Sequence, residues 1–313
     1  MTNDQVHTST FMTRVGRQLL RGIGHLSFLR HGIRYRFIEI FHHPGNAVNE
    51  EFIVPFYGRL YRGNFNTLID WSVFYYGAYG KTELDLIRDI LAFIPKPRFL
   101  DIGGNIGHHT LFASIYSDEV ITVEPFQQVS KKIVQKINDN HLENVRLLDY
   151  ALGNTNGIAE YYPPDTTNTG TGSFIGSGQS VEPIKLKMIK ADDLFLQENI
   201  LPVSFIKMDA EGYEVHILEG MMKVLEEQRP VVFFEWTPDE EKEKSSESNR
   251  NLFPEGYLFF QFSDRKIFLF VFEGAGYKLK HVDGNWDPGM ILALPEEFLK
   301  KDGFAKYLAK RTS

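Results

Sequence analysis

With 313 residues, a net charge of −7 and no cysteine, the chain is long enough for one large α/β domain with additions or for two small domains. The missing cysteines exclude disulfides, thiolate metal sites and a cysteine nucleophile, and fit a reducing, cytoplasmic setting. Residues 1–43 carry six arginines against Asp4 and Glu39, a net of +4, so the remainder carries −11. A body that acidic argues against nucleic-acid partners, because phosphate binding needs a basic surface.

No apolar run approaches the roughly 18 residues that a membrane-spanning helix needs, and no compact apolar stretch with a small-residue cleavage site marks a secretory signal. Phe11–Ile40 is Arg-rich, acid-poor and interleaved with apolar residues. It reads as a helix with a solvated basic face, with peripheral contact to an anionic membrane as the sharper alternative and a transit peptide as a third. Residues 44–80 form an aromatic, Gly-rich segment holding Tyr57, Tyr61, Trp71, Tyr75, Tyr76 and Tyr79, for which strands and turns are expected. Its rings suit either core burial or the CH faces of a sugar.

From Lys81 onward strands and helices alternate. Leu84, Ile87, Leu91 and Ile94 recur at helical spacing until Pro95 and Pro97 end the helix. Strands are expected at Phe99–Ile102, Val120–Val123 and Val145–Leu148, separated by helices over Ile106–Tyr116 and Gln127–Asn140. A Gly-, Ser-, Thr- and Pro-rich loop over Thr155–Ser180 precedes a strand at Ile184–Ile189 and a helix at Ala191–Gln197. Ser204–Met208 is the next buried strand. The helix after it carries Val215, Leu218, Met222 and Leu225 on one face, and the strand Val231–Phe234 follows Pro230. Residues 240–250 are a charged, solvated stretch. Tyr257–Phe262, Ile267–Phe272 and Met290–Leu294 look like further sheet strands, with a terminal helix and tail. This alternation predicts a mostly parallel sheet with helices on both faces. The chain divides into a basic extension (1–43), an aromatic cap (44–80) and an α/β domain (81–313).

Five of these strands end in an acid: Asp101, Glu124, Asp149, Asp209 and Glu235. In open parallel sheets ligands bind outside the carboxyl ends of the strands, so the five converge on one crevice. The first strand runs into a glycine turn, Asp101-Ile102-Gly103-Gly104-Asn105-Ile106-Gly107, that lets backbone turn tightly beside a nucleotide-like ligand. Glu124 lies 23 residues past Asp101, about the distance at which an acid accepts from ribose hydroxyls; capping the helix at Gln127 is the plainer alternative.

The series FLDIGGNIGHHT, ITVEPF, LLDYALGN, FIKMDAEGYEVHILEG and PVVFFEW resembles the FkbM family of S-adenosylmethionine-dependent methyltransferases across Ile69–Trp236. The resemblance implies a Rossmann-like seven-stranded sheet and O-methylation of a hydroxyl on a sugar, glycan or polyketide-like small molecule. It implies that Asp101, Gly103, Asn105 and Gly107 contact the methionine part of the cofactor, that Glu124 binds its ribose, and that Asp149 and Tyr150 lie at the adenine. Lys207–Gly212 would flank the reactive methyl. His108-His109 departs from the family, where aromatic residues are expected.

An acid at Asp101 suits the ammonium of S-adenosylmethionine and would repel the pyrophosphate of NAD. Candidate general bases are Asp209 and Glu211, with His108, His109 and His216 behind them. Asp209 and Glu235 could instead hold a divalent metal, or one of them could pair with Lys207. An NAD-dependent oxidoreductase and a non-catalytic nucleoside-binding protein are the rival readings of the same fold class. A protein or nucleic-acid methyltransferase is disfavoured by the lack of an Asn/Asp-Pro-Pro-aromatic motif.

Overall fold

A computed structural model describes residues 11–46, 48–163, 172, 174, 182–237, 249–264, 267–269, 272–274, 276–283 and 285–312. Most of the Thr155–Ser180 loop and of the charged stretch 240–250 therefore lies outside the described residues.

The basic extension forms two helices rather than one, α1 (Phe11–Gly24) and α2 (His31–Phe41). Arg34 fixes the bend between them, donating from Nη1 to Gly24 O (2.6 Å) and from Nε to Leu29 O (3.0 Å). Arg17 is buried against Glu50. The expected solvated basic face is thus partly inverted: two of the arginines are buried, while Met12, Leu19, Phe28, Ile40 and Phe41 are more than half exposed.

A hairpin follows, β1 (Glu51–Phe56) and β2 (Arg59–Asn64), then helix α3 (Leu68–Tyr76). Strands and turns were expected throughout this segment, so α3 is a correction. It starts at Thr67, whose side chain accepts from Asp70 N–H, and stops at left-handed Gly77. Asp70 is buried, accepting from Tyr61 Oη (2.7 Å) and Asn64 N–H (2.9 Å), and locks the helix to the hairpin. Of the segment's aromatics, Tyr61, Trp71 and Tyr75 are core residues and Tyr79 is exposed.

The α/β part continues with α4 (Lys81–Leu91), β3 (Arg98–Ile102), α5 (His108–Ala113), β4 (Glu119–Val123), α6 (Gln127–Asp139) and β5 (Val145–Leu148). Next come β6 (Ala151–Gly153), β7 (Gly157–Tyr161), β8 (Ile184–Lys190), α7 (Ala191–Gln197) and β9 (Phe205–Met208). The helix expected after β9 breaks at Met221 into α8 (Glu214–Gly220) and α9 (Met222–Gln228). Then follow β10 (Val231–Trp236), β11 (Tyr257–Asp264), β12 (Ile267–Leu269), β13 (Phe272–Gly274), β14 (Tyr277–Val282), β15 (Gly289–Pro295) and α10 (Phe304–Thr312).

The central sheet has eight strands, one more than expected, in the order β14-β11-β15-β10-β9-β3-β4-β5. The run from β10 to β5 is parallel, and β15, β11 and β14 extend it by antiparallel pairing. The strand expected at Ile184–Ile189 forms, and pairs with β6 and β7 in a separate three-stranded sheet. The strand at Ile267–Phe272 is a small hairpin of β12 and β13 outside the central sheet.

Alternation along the strands divides the core. Phe99, Val120, Phe205 and Phe233 face α4, α5 and the hairpin, while Leu100, Ile121, Ile206 and Phe234 face α7, α8 and α9. At the far edge, Asp89 of α4 accepts from Tyr277 Oη (2.7 Å) and from Arg311 Nη2 (2.8 Å), tying α4 to β14 and α10. Because Thr67 supplies the only side-chain cap described for α3, Thr67→Ala is expected to cost about 1 kcal/mol. Chemical denaturation measures this, and an unchanged midpoint would contradict the capping role.

Candidate functional site

Strand order reverses between β3 and β9: β4 leads away on one side and β10 on the other. A switch of this kind opens a crevice at the strand ends. Here the crevice spans about 670 Å³, open space at its mouth included, and is walled by Ile102, Gly103, Asn105, Val123–Pro125 and Asp209–Glu211 among others. Its lining includes the carboxylates of Glu124, Asp209 and Glu211 and no lysine or arginine among the described residues.

The glycine turn is shaped by contacts within the chain. Gly103 has φ +73°, and a Cβ there would lie 1.9 Å from the carbonyl oxygen of Asp209. The turn is therefore pressed against the end of β9, where only glycine fits. Gly107 (φ +80°) packs against Ile133 of α6, away from the crevice wall. Asn105 also takes a left-handed conformation (φ 48°) and donates its N–H to Glu124 Oε2 at 2.9 Å. The other oxygen of Glu124 accepts Phe126 N–H at 3.0 Å, so Glu124 holds the turn, caps the chain ahead of α6 and lines the crevice at once. Burial, followed by the charges of Asp101 and Asp149, overcomes these hydrogen bonds and pushes Glu124 up to about 7.

Asp101 lies behind the turn rather than on the crevice wall. It is fully buried, accepts from Thr110 Oγ1 at 2.6 Å, and leaves Oδ1 without a hydrogen-bond partner. Asn105 Oδ1 is also buried and unpartnered. Tyr150 lines the crevice, whereas Asp149 is exposed outside it and accepts from Gln127 Nε2 at 3.0 Å.

Register explains the acidic group beside the crevice. Asp101 pairs with Lys207 across β3 and β9, and Lys207 with Phe233 across β9 and β10. Side chains two apart share a face, so Lys207 and Asp209 follow one another along β9 with Glu235 alongside. Lys207 is buried and donates to Asp209 Oδ2 at 3.2 Å. Burial alone would lower its ammonium, but Asp209 and Asp101 outweigh that and hold it above the usual lysine value. Glu235 is raised by burial and by Asp209, to which it is hydrogen-bonded. Glu211 (φ 52°) stands at the mouth, pushed up to about 7 by burial and by Asp209 and Glu235.

Two members were not marked by the sequence pattern. Glu214 accepts Ala210 N–H at 2.7 Å and so shapes the Asp209–Tyr213 turn; its carboxylate, with those of Asp209 and Glu235, falls within 4.8 Å of one another. Glu83 of α4 sits 3.8 Å from His109 Nε2, and burial followed by the field of its neighbours pushes it up to about 7. Glu83 reads in sequence as an ordinary acid in the first turn of a helix.

Of the histidines, His108 corrects the reading of it as a catalytic group. It is buried among Phe56, Tyr61 and Tyr79 and held near a pKa of about 3 by burial and by Lys136 and Lys207, and it does not reach the crevice. His109, likewise kept neutral by burial, faces Glu83. His216 of α8 is half-exposed beside Glu219.

Comparison with known proteins follows the same lines. Residues 101–279 match the family described as Methyltransferase FkbM domain. The chain is 27% identical over 145 residues to the hexuronic acid methyltransferase AglP of Haloferax volcanii, covering 46% of this chain and 58% of that protein. A methyltransferase FkbM from Methylobacillus flagellatus is 14% identical, with TM-score 0.35 over 63% of this chain and 43% of its own. A SAM-dependent methyltransferase from Agrobacterium tumefaciens is 11% identical, with TM-score 0.42, covering 80% of this chain and 71% of that one. The chain thus spans less than two thirds of the length of AglP and of the Methylobacillus protein.

Glu83, Glu124 and Glu211 are each raised from 4.5 to about 7 in the folded chain. Between those values the folded state binds more protons than the unfolded one, so stability falls as pH rises from about 4.5 to about 7. Thermal melts of the ligand-free protein are expected to show this decline, and Glu124→Gln to make it shallower. A melting temperature that rises across the window would contradict the raised carboxyls.

Proposed function

The chain belongs to the FkbM methyltransferase family, and from that premise we propose that it methylates a hydroxyl oxygen of a sugar or similar small-molecule acceptor, using S-adenosylmethionine. The observation that carries this is charge: Asp101, Asp209, Glu235 and Glu83 surround one buried ammonium, Lys207, next to a glycine turn at the switch point. Such a well favours a cationic ligand.

The residues fit that cofactor. The orphaned Oδ1 of Asn105, on the crevice wall, offers an acceptor to an ammonium group, and buried Asp101 behind the turn adds negative field. Each oxygen of Glu124 already takes one backbone N–H and keeps a second lone pair for a ribose hydroxyl. Tyr150, with Ala151 and Leu152, supplies an apolar edge for adenine. When bound, S-adenosylmethionine supplies a methyl group already activated by its sulfonium.

What the chain must add is acceptor placement and removal of a proton. Asp209 and Glu211 bound the crevice where strand β9 ends, and we assign them to orient the acceptor hydroxyl and take its proton. Glu211, raised to about 7, is poised for proton transfer near neutrality. Asp209 accepts from the Lys207 ammonium. Asp209, Glu214 and Glu235 also form a donor set for a divalent metal. Lys207 already supplies Asp209 with a positive partner, and Glu214 is engaged by the backbone of Ala210 and Gly212. We therefore read the reaction as metal-independent. The relative named for hexuronic acid supports a sugar acceptor.

An NAD-dependent oxidoreductase fits less well, because three carboxylates line the crevice where a pyrophosphate would lie. Calorimetry with S-adenosylmethionine and NAD in parallel is expected to show binding of the first alone. As Glu124 and Glu211 ionise through about 7, affinity should rise severalfold from pH 6 to pH 8. S-Adenosylhomocysteine, which lacks the sulfonium charge, should respond less. Binding of NAD without S-adenosylmethionine would overturn the proposal.

Asp209→Asn and Glu211→Gln together should lower kcat by about 10²–10⁴, the usual worth of a positioned base, with cofactor affinity changed far less. Turnover is read as S-adenosylhomocysteine release with a glucuronate oligosaccharide as acceptor. Treatment with a chelator should leave it intact; loss restored by magnesium would replace the base assignment with a metal at Asp209 and Glu235.

A further inference from the structure

A second, larger cleft has Tyr79 on its wall. It encloses about 1450 Å³, counted to its open mouth, between the bend of α1 and α2 on one side and α3 with the start of α4 on the other. His25, His31, Arg34, Tyr76, Tyr79 and Lys81 are on its walls. We propose that this cleft binds the non-reacting part of the acceptor, and that it selects sugars carrying an oxyanion, carboxylate or phosphate, on the ring. The inference deepens the methyl-transfer reading above and rests on it.

Continuity with the site is the first argument. Gly80, Lys81 and Thr82 line the cleft and lead directly into Glu83, whose carboxyl would lie 3.3 Å from a Cβ on Gly80 and whose Oε2 is 3.8 Å from His109. Tyr79 lines the cleft, and its backbone N–H donates to His108 Nε2 at 3.4 Å. Its hydroxyl is held up by burial and then by the charges of Glu83, Asp209, Glu235 and Glu211. The cleft and the well therefore meet in the neighbourhood of Tyr79 and Glu83.

Charge is the second argument. The body of the chain is acidic, yet this cleft gathers cations. Arg34 is fixed in its wall by the carbonyls of Gly24 and Leu29. Lys81 and Arg34, both on the cleft wall, lie within electrostatic range of His25, which burial and then Arg21, Lys81 and Arg34 lower. The acids near them are Asp264 on the cleft wall, bonded to Thr82, Glu39, bonded to Tyr35, and Glu83, beside Gly80. An oxyanion near Arg34 and Lys81 meets a positive field in a protein of net charge −7.

Shape is the third. Tyr76 and His31 are 4.9 Å apart between ring centroids, a polar-edged aromatic wall suited to the CH face of a pyranose. At the cleft's edge α1 and α3 are in close backbone approach, since a Cβ on Gly24 would lie 2.1 Å from the carbonyl oxygen of Tyr75.

The test titrates the full chain with glucuronic acid, glucose 6-phosphate and glucose, for wild type and for Lys81→Glu, an exposed position outside the proposed catalytic residues. At least one of the two acids is expected to bind about fivefold or more tighter than glucose, the scale of one or two solvent-facing ion pairs. Lys81→Glu should erase that preference, and the tighter acid identifies carboxylate or phosphate as the recognised group. Glucose binding as tightly as both acids, absence of binding by both, or a preference that survives Lys81→Glu would overturn the proposal. S-Adenosylmethionine is titrated in a separate arm. Its failure with the acid preference intact removes the methyl-transfer reading and leaves an anionic-sugar site; the reverse result removes the cleft assignment alone.

Discussion

Lys207 is the charge on which the site depends. It is buried, and removing its ammonium would leave Asp101, Asp209, Glu235 and Glu83 facing one another with no cation between them. Like carboxylates at such range cannot all ionise, so they would take up protons or the strand ends would part. With Lys207 in place Asp209 is paired, while Glu211 and Glu235 stay raised and share the remaining negative charge. One lysine thus keeps the well assembled without neutralising it, which is the electrostatic state that suits a cation and a proton acceptor together.

The pieces of this arrangement differ in how far they could be read in the chain. The parallel strands and their terminal acids were legible, because buried strands are short apolar runs and a polar residue at the end of each is a local signal. Helix α3 was not: residues 70–75 are all buried, so it lacks the one-sided pattern by which helices are recognised. Its capping pair, Thr67 and Asp70 ahead of Gly77, was the available clue. Glu83 was hidden for a different reason. It comes from a helix beside the sheet, and only the packing of α4 against α5 brings it to His109. His108 went the other way, a polar residue in the right stretch of sequence that turns into an aromatic core.

The glycine turn shows the same limit of local reading. Its glycines suggest room for a ligand, yet the atom that a Cβ on Gly103 would strike belongs to Asp209, a residue 106 positions later in the chain. The turn that lines one wall of the crevice and the loop that carries the proposed base are therefore in direct backbone contact. Glu124 adds a second link through Asn105 N–H. The proposed cofactor wall and the proposed catalytic wall are thus joined directly, as positioning chemistry requires.

The junction at Asp89 has a consequence for how the molecule comes into being. Asp89 lies on the helix that also carries Glu83, and its partners Tyr277 and Arg311 follow it by 188 and 222 residues. During synthesis α4 leaves the ribosome long before either partner exists, and contacts so distant in sequence form late. The acid supplied by α4 therefore gains its final anchorage only after β14 and α10 have docked. A nascent chain that already holds its parallel strands still lacks that anchorage, so α10 acts as a latch on the helix that carries Glu83.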